Sequence, residues 1–363
     1  MELPLKKTVL HPLQVELGAR MGPFGGWEMP ISYGGILEEH RCCRTAAALF
    51  DICHMGEFIF RGDLVADGLD RAVTQPLAKM KMGTCRYGFI LNEEGGIIDD
   101  LIVLRTGEKE AMLVVNAAPS AGDFRVLQER LSGGDLEDVS GRTAKIDVQG
   151  PLARRVLFEV LGLEVELRYF RFAVFPLWGQ TVTIARAGYT GELGYEIYSS
   201  PELAPRLWSE FLNHPRVAPA GLGARDILRL EIGYSLYGHD IDAATTPLEA
   251  DLGAFINWDK EFTGRAALSR EVQTGLSRMK IAFRTESRRS PRGGHRIVSP
   301  EGEIGMVTSG CFSPMLSCGI GLGYVSRENF SAGEKLAITD GQQRHLPISL
   351  EELPFYREGS LRN

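Results

Sequence analysis

The segment FILNEEGGIIDDLIVL, at residues 89–104, constrains the fold more than any other part of the chain. Its two apolar runs flank residues 92–96, a pattern that predicts a β-hairpin with a five-residue loop. Neighbouring side chains of a strand point to opposite faces, so Asp99 and Asp100 must lie on opposite sides of the second strand. Because both faces are otherwise apolar, we expect at least one of these carboxylates to face protein rather than water.

Burying a carboxylate is costly unless it is paired, hydrogen-bonded or protonated. Two interpretations therefore stay open from the pattern alone. In the first, one aspartate is functional and acts alone, because opposite faces exclude a paired acid and base. In the second, one aspartate caps a neighbouring turn through backbone N–H groups and the other is solvated.

The wider pattern predicts an α+β protein. Its 42 glycines and 18 prolines indicate many tight turns, and strand and helix patterns mix without a regular βαβ rhythm. A change of pattern near residue 278 predicts a separate small β-domain over 277–356. Alternating patterns predict strands at 57–61, 111–115, 180–185 and 194–198, and helical periodicity predicts helices at 36–48, 121–130, 203–213 and 224–232.

Composition and motifs argue against several classes of function. The net charge of −7 gives no basic footprint for nucleic acid, and no glycine-rich motif indicates a nucleotide cofactor. The six cysteines form no C-x-x-C pair and no histidines stand at metal-ligand spacing, so we expect no metal and reduced thiols. The start of the chain has no signal or transit pattern and no apolar run spans a membrane, which favours a cytoplasmic protein.

The segment from Arg284 to Arg296 is strongly basic, with five arginines and one glutamate. Such a run is either a solvated loop or a docking face for an acidic partner or an anionic ligand tail. The pattern leaves both interpretations open.

Ordered motifs along most of the chain resemble one family. The chain is similar to the aminomethyltransferases (T-proteins) of the glycine cleavage system. The shared motifs are GARMGPFGGWEMPISYGG, RTAAALFDICHMGE, YGFILNEEGGIIDDLIV, DVQGP, GYTGELGYEIY, GLGARDILRLEIGYSLYGHDID, WDKEFTGRAAL and IGMVTSGCFSPMLSCGIGLGYV.

The resemblance implies a three-domain clover-leaf arrangement around a central folate funnel. We expect a discontinuous folate-binding α+β domain over 1–50 and 140–276. A second α+β domain over 51–139 is expected to carry the catalytic aspartate. A C-terminal β-barrel-like domain is expected over 277–363.

The resemblance also implies a reaction. Members of the family pass the one-carbon unit from the aminomethyl-lipoyl arm of H-protein to tetrahydrofolate. The products are ammonia and 5,10-methylene-tetrahydrofolate. Tetrahydrofolate is then a co-substrate and lipoylated H-protein a partner, with no metal, nucleotide or flavin expected.

The resemblance assigns the principal catalytic role to Asp99, the first aspartate of GGxxDD. A carboxylate beside the folate would orient a ring nitrogen and favour a cationic iminium-like carbon. Glu196 is expected to accept two parallel N–H bonds from the pterin. The other expected folate-binding residues are Arg225, Met55, Tyr87, Asn116, Tyr189, Trp258 and Arg357.

Pattern alone gives these residues plainer interpretations. Glu196 lies in an alternating strand where solvated glutamates are common, Arg225 can form a local salt bridge, and the aromatic residues can be core. Two rival functions also remain. The first is a tetrahydrofolate-dependent demethylase of a small methylated substrate. The second is a non-enzymatic iron–sulfur-assembly relative, which is disfavoured because residues 187–192 read AGYTGE and an aspartate stands at position 99.

Overall fold

The computed structural model describes residues 4–331, 333–339 and 345–362. Over these residues the helices are α1 His11–Glu16, α2 Ile36–Thr45, α3 Leu69–Ala72, α4 Ser120–Arg130, α5 Ala153–Leu161, α6 Ala204–Leu212, α7 Leu222–Ile232 and α8 Arg265–Thr274. None of these helices is long and apolar enough to cross a membrane.

The strands of the same residues fall into three sheets and one short hairpin. They are β1 Arg20–Phe24, β2 Trp27–Ser32, β3 Ala47–Asp51, β4 Gly56–Arg61, β5 Cys85–Leu91, β6 Ile97–Gly107, β7 Glu110–Val115, β8 Asp135–Asp138, β9 Ala144–Gln149, β10 Arg171–Leu177, β11 Gln180–Arg186, β12 Gly194–Ser199, β13 Val217–Pro219, β14 Arg278–Thr285, β15 Arg296–Ser299, β16 Gly302–Ser313, β17 Cys318–Ser326, β18 Leu336–Thr339 and β19 His345–Leu350.

A six-stranded sheet has the order β10-β11-β12-β9-β3-β13. Its central strands β3, β9 and β12 are buried along their whole length, because helices and other sheets cover them. One face packs on α5 and α6 around Trp208 and Phe211. Phe50 and Ile52 pack against Leu228 of α7 in a second cluster. The centre of the sheet is therefore enclosed, and charged residues on these three strands need partners.

A five-stranded antiparallel sheet has the order β5-β6-β7-β4-β8. The predicted hairpin is confirmed as β5 and β6, which pair from Cys85–Leu104 to Leu91–Ile97 with one register shift between Ile90 and Leu91. Its loop packs so closely on a neighbouring segment that a Cβ on Gly96 would lie 2.0 Å from the Ala243 carbonyl oxygen. Glycine is therefore required at that position.

The two faces of the five-stranded sheet meet different layers. Leu101 and Val103 of β6 pack with Leu127 of α4 in one cluster. Leu104, with Ile102 at its edge, packs with Phe172 and Tyr198 of the six-stranded sheet in another. Because Asp99 and Asp100 lie on this same strand, they point toward different layers of the protein.

The predicted C-terminal β-domain is confirmed as a closed barrel with the order β14-β17-β16-β15-β18-β19. Its core contains Phe283, Ile297 and Val307. Helix α7 lies between this barrel and the six-stranded sheet. Ser313 of the barrel donates to Glu231 of the helix at 2.6 Å, which ties the barrel to the rest of the chain.

The α+β class is confirmed by this mixture of sheets and helices. The chain enters the six-stranded sheet at β3, builds the five-stranded sheet, and returns at β9. That path supports the boundaries that we propose for the three domains, namely 1–50 with 140–276, 51–139, and 277–363.

Candidate active site

Asp100 lies on the face of β6 that points toward the six-stranded sheet. The Tyr87 hydroxyl donates to its Oδ2 at 2.9 Å, and the Asn116 side-chain amide donates to its Oδ1 at 2.8 Å. Burial raises the pKa of Asp100, and the two hydrogen bonds oppose that rise. Asp100 is partly exposed as a residue, and its carboxylate is oriented by two donors.

Asp99 lies on the opposite face and has no exposed surface. Its Oδ2 accepts the backbone N–H of Asn116 at 2.9 Å and its Oδ1 accepts the Asn116 amide at 2.8 Å. Burial raises the pKa of Asp99 well above its usual range, with a further rise from Asp100 and Asp123. The structure therefore brings Asn116 together with both aspartates but places Asp99 away from the six-stranded sheet.

Glu196 lies on β12 and is almost fully buried. Its Oε2 accepts the Tyr198 hydroxyl at 2.9 Å and lies 3.1 Å from the Lys145 ammonium. Lys145, which is 1% exposed, also points its ammonium to Met55 Sδ at 3.5 Å. The lysine therefore links the predicted residues Glu196 and Met55, and it supplies the positive charge that a buried carboxylate requires.

Arg225, on α7, contacts β9, the strand that pairs with the strand of Glu196. Its guanidinium donates to Asp147 at 2.8 Å, and Asp147 lies directly opposite Glu196 in the pairing of β9 with β12. Burial raises the pKa of Asp147 to about 6, while Arg225 opposes that rise. The guanidinium also lies 5.2 Å from the Tyr189 ring centre, a cation–π distance.

Aromatic residues connect these charged groups to Asp100. Tyr87 packs edge-on against Phe255 with ring centres 4.8 Å apart, and Trp258 packs at the edge of the same cluster. Burial raises the pKa of Tyr189, and the charge of Asp100 adds to that rise. Asp100 on β6 and Arg225 on α7 therefore both act on Tyr189, so residues of the five-stranded sheet and of α7 meet near this tyrosine.

Arg357 is the exception. Its guanidinium is exposed, donates to the Pro354 carbonyl at 3.2 Å and lies 3.9 Å from Glu352. These contacts stay within its own segment, so the structure does not bring Arg357 together with the other predicted residues. Its folate-binding role stays a prediction without a supporting contact.

Sequence reasoning missed Lys145 and Asp147, although a signal was present. Both alternate with Ile146 and Val148 on β9, in the same pattern of charge within an apolar strand that singled out Asp99 and Asp100. Among the residues that the structure describes, no group of three or more His, Cys, Asp or Glu side chains is arranged to hold a metal ion.

Glu57 is a further buried acid near this region. It lies on β4, opposite Val114, and is 1% exposed. Neither of its carboxylate oxygens has a hydrogen-bond partner among the described residues. Burial raises its pKa to about 8, although the charge of Lys145 opposes the rise. Glu57 is therefore protonated in the folded protein at neutral pH.

The Glu57→Gln variant should flatten the pH dependence of stability. A raised pKa in the folded state means that stability is lost as the pH rises from about 4.5 to about 8. Glutamine cannot titrate, so the loss between pH 5 and pH 8 should shrink by on the order of a few kcal/mol. Urea unfolding at about pH 5 and about pH 8 measures this loss of stability. Exposed Glu108→Gln is the control, and equal slopes for all three proteins would refute the assignment.

Comparison with known proteins identifies the family. Residues 10–260 match the GCVT N-terminal domain model, and residues 278–357 match the glycine cleavage T-protein C-terminal barrel domain model. The chain is 40% identical to an aminomethyltransferase of Halothermothrix orenii, over 97% of this chain and 100% of that one. It is 41% identical to an aminomethyltransferase of Thermosynechococcus vestitus, over 97% and 96% of the two chains.

A solved structure agrees with these matches. The crystal structure of glycine cleavage system aminomethyltransferase T from Bartonella henselae is 35% identical and superposes with a TM-score of 0.92, covering 98% of this chain and 99% of that one. The resemblance inferred from the motifs is thereby confirmed. The chain belongs to the glycine cleavage T-protein family and is an aminomethyltransferase.

Proposed function

We propose that this enzyme transfers the one-carbon unit of aminomethyl-lipoyl H-protein to tetrahydrofolate, releasing ammonia and forming 5,10-methylene-tetrahydrofolate. The observation that carries the proposal is the shared region bordered by Asp100, Tyr189, Arg225 and Glu196 from separate elements. Full-length likeness to aminomethyltransferases does not favour the alternative, a tetrahydrofolate-dependent demethylase. The cytoplasmic location expected from the sequence stays a prediction.

Glu196 is proposed to bind the pterin edge. A pterin presents a ring N–H beside an exocyclic amine, and a carboxylate can accept both bonds in a fork. The ion pair with Lys145 holds its Oε2 in place at 3.1 Å. Tyr189, Tyr87, Trp258 and Met55 supply the flat apolar surface that a bicyclic ring needs.

Asp100 is proposed to be the carboxylate that meets the reacting end of the folate. In its ionised form it would favour a cationic iminium-like carbon, and its two fixed donors reduce the reorganisation needed during the reaction. Asp99, the residue indicated by the motif, is bonded to Asn116 on the buried face. The geometry therefore favours Asp100 for the contact and Asp99 for support.

Paired aspartate variants should separate the two roles. Asp100→Asn removes the charge at the proposed contact, so kcat should fall by about 100-fold or more while the Kd for tetrahydrofolate stays within about tenfold. Asp99→Asn should lower kcat less, because it alters only a supporting hydrogen bond. Ammonia release and methylene-tetrahydrofolate formation from loaded H-protein measure turnover. Full turnover in Asp100→Asn would return the catalytic role to Asp99.

The Glu196→Gln variant should weaken folate binding. One arm of the fork becomes a donor that faces another donor, which costs about 1–3 kcal/mol of binding free energy. Isothermal titration should therefore show a Kd for tetrahydrofolate raised by about 10–100-fold. Glu202→Gln, an exposed residue beyond the same strand, is the matched control. An unchanged Kd in Glu196→Gln would remove this residue from the site.

A basic patch on the barrel is the proposed docking surface for H-protein. We define it as Arg288, Arg289 and Arg292, together with Met315 and Leu316 at the β16–β17 turn. The arginines are exposed, and the Ser287 carbonyl accepts the Gly319 N–H at 2.9 Å, which holds this segment against the hairpin. Met315 and Leu316 are large apolar residues that remain exposed.

The charges of the basic patch support an acidic partner. Arg284 and Arg296 are already paired, with Glu351 and Glu303, whereas the described residues offer Arg289 and Arg292 no ion pair. Unpaired arginines beside exposed apolar side chains are typical of a protein interface. If the segment were only a solvated loop, no acidic partner would be expected to bind it.

Charge reversal tests the docking surface. Changing Arg288, Arg289 and Arg292 together to Glu should raise the KM for H-protein by about tenfold or more at low salt, with a smaller effect at high salt, because screening weakens the repulsion. The same reversal at exposed Arg41, Arg168 and Arg270 carries an equal charge change and should leave KM near the wild-type value. Equal KM values for H-protein in both triple variants would show that the basic segment is a solvated loop and not a docking surface.

A further inference from the structure

Gln149 is a buried amide to which the proposed reaction assigns no role. It is the last residue of β9 and has no exposed surface. Its Nε2 donates to Asp147 Oδ1 at 2.5 Å and to the Ala187 carbonyl oxygen at 2.9 Å. Its Oε1 accepts the Thr190 hydroxyl at 2.7 Å. Both ends of the amide are therefore bonded, and they tie β9 to the segment at residues 187–190.

Two glycines make room for this amide. Gly194 lies opposite Gln149 in the pairing of β9 with β12, and a Cβ on it would lie 2.0 Å from Nε2. A Cβ on Gly188 would lie 2.2 Å from the same nitrogen. Both approaches are closer than any side chain allows, so the amide is fixed by packing against backbone as well as by its hydrogen bonds.

The contacts of Gln149 form a closed ring with Arg225. Asp147 accepts the amide at Oδ1 and the Arg225 guanidinium at Oδ2, the latter at 2.8 Å. The guanidinium lies 5.2 Å from the Tyr189 ring centre, and Tyr189 is followed in the chain by Thr190. The Thr190 hydroxyl then returns to the amide. One buried side chain therefore connects the partner of Arg225 to the segment that carries Tyr189.

We propose that Gln149 is a positioning residue for folate binding: its amide holds Asp147 and the segment at residues 187–190 together, and thereby keeps Arg225 against Tyr189. This inference rests on the proposed folate-binding roles of Arg225 and Tyr189. Gln149 itself has no exposed surface, so its effect on the folate passes through these neighbours. A buried carboxylate paired with a guanidinium needs a fixed geometry, because water cannot replace a partner that moves away.

The Gln149→Met variant tests this role. Methionine has nearly the same length but neither the donors nor the acceptor, so Asp147 and Thr190 are no longer held together. Arg225 and Tyr189 bind the folate in the proposed site, whereas a different carboxylate meets its reacting end. The Kd for tetrahydrofolate should therefore rise by about tenfold or more, with kcat at saturating folate within about threefold of the wild-type value.

Gln14→Met is the matched control. Gln14, in α1, also has no exposed surface and donates to a buried aspartate, Asp51, at 2.5 Å. Losing this bond should destabilise the fold by a comparable amount and leave the Kd for tetrahydrofolate at the wild-type value. A fall in kcat without a change in Kd in Gln149→Met would indicate fewer folded molecules only, and it would overturn the positioning role.

A milder variant opens the ring at its other end. Thr190→Val removes the hydroxyl and keeps the shape of the side chain, so the Kd for tetrahydrofolate should rise by about threefold or more. Because the hydroxyl acts through the amide, Thr190→Val combined with Gln149→Met should bind tetrahydrofolate no more weakly than Gln149→Met alone. Additive losses of affinity in the double variant would overturn the proposal.

Asp147 supplies a readout that does not need folate. Burial raises its pKa to about 6, and Glu196 adds to the rise, whereas Arg225 and the Gln149 hydrogen bond oppose it. Cys43 of α2 is a further titratable neighbour, whose pKa is raised by burial and in smaller part by Asp147. A folded-state pKa above the unfolded value gives stability that is present at low pH and is lost as the pH rises to about 6.

The Gln149→Met variant should extend this loss of stability to higher pH. Without the Gln149 donor the pKa of Asp147 rises further, so the loss continues above pH 6. Urea unfolding at about pH 6 and about pH 8 should show a larger decrease in stability for Gln149→Met than for the wild type. Thr190→Val keeps the donor to Asp147 and should match the wild type. Equal decreases in the wild type and Gln149→Met would overturn the proposal.

Arg225→Met separates a failure of this proposal from a failure of the proposed function. It should raise the Kd for tetrahydrofolate by about tenfold or more, because the proposed site loses a direct contact. An unchanged Kd in Arg225→Met would remove Arg225 from the proposed folate site. A raised Kd in Arg225→Met with an unchanged Kd in Gln149→Met would instead overturn only the positioning role of Gln149.

Discussion

The alternation of side chains along β6 is the constraint on which the site depends. The strand lies between a layer of helices and a second sheet, so consecutive residues enter two different environments. Asp99 enters the layer that is closed by α4, and Asp100 enters the region that also contains Tyr189 and Arg225. A change of register by one residue would exchange the two carboxylates. The pairing of β5 with β6 therefore decides which acid can meet a ligand.

Buried polar contacts of Glu231 tie the barrel to the helices beside the six-stranded sheet. Glu231 on α7 accepts hydrogen bonds from His40, Arg44 and Ser313, which belong to the helix beside the six-stranded sheet and to the barrel. Charges removed from water are stabilising only when every partner is in place. The region between the sheets thus depends on the docking of the barrel as well as on its own residues.

Local pattern predicted the elements well, because a hairpin and an alternating strand are properties of short segments. The β5–β6 hairpin and the C-terminal β-domain were both visible in the sequence. Local pattern could not predict which aspartate faces which layer, because both faces of β6 are apolar and distant segments cover them. Local pattern could not predict the ion pair of Lys145 with Glu196 either, since that pair depends on the register between β9 and β12. Arg357 shows that a motif near a chain end does not fix where a side chain lies.

The path of the chain through its sheets also favours one order of assembly. Strands β3 and β9 are hydrogen-bonded neighbours, yet the whole five-stranded sheet lies between them in the sequence. Joining them costs less conformational entropy once the intervening residues are compact, so the five-stranded sheet is expected to form first. During that interval β3 is an unpaired strand whose five residues all become buried later. We therefore expect the nascent chain to expose an aggregation-prone strand until β9 pairs with it.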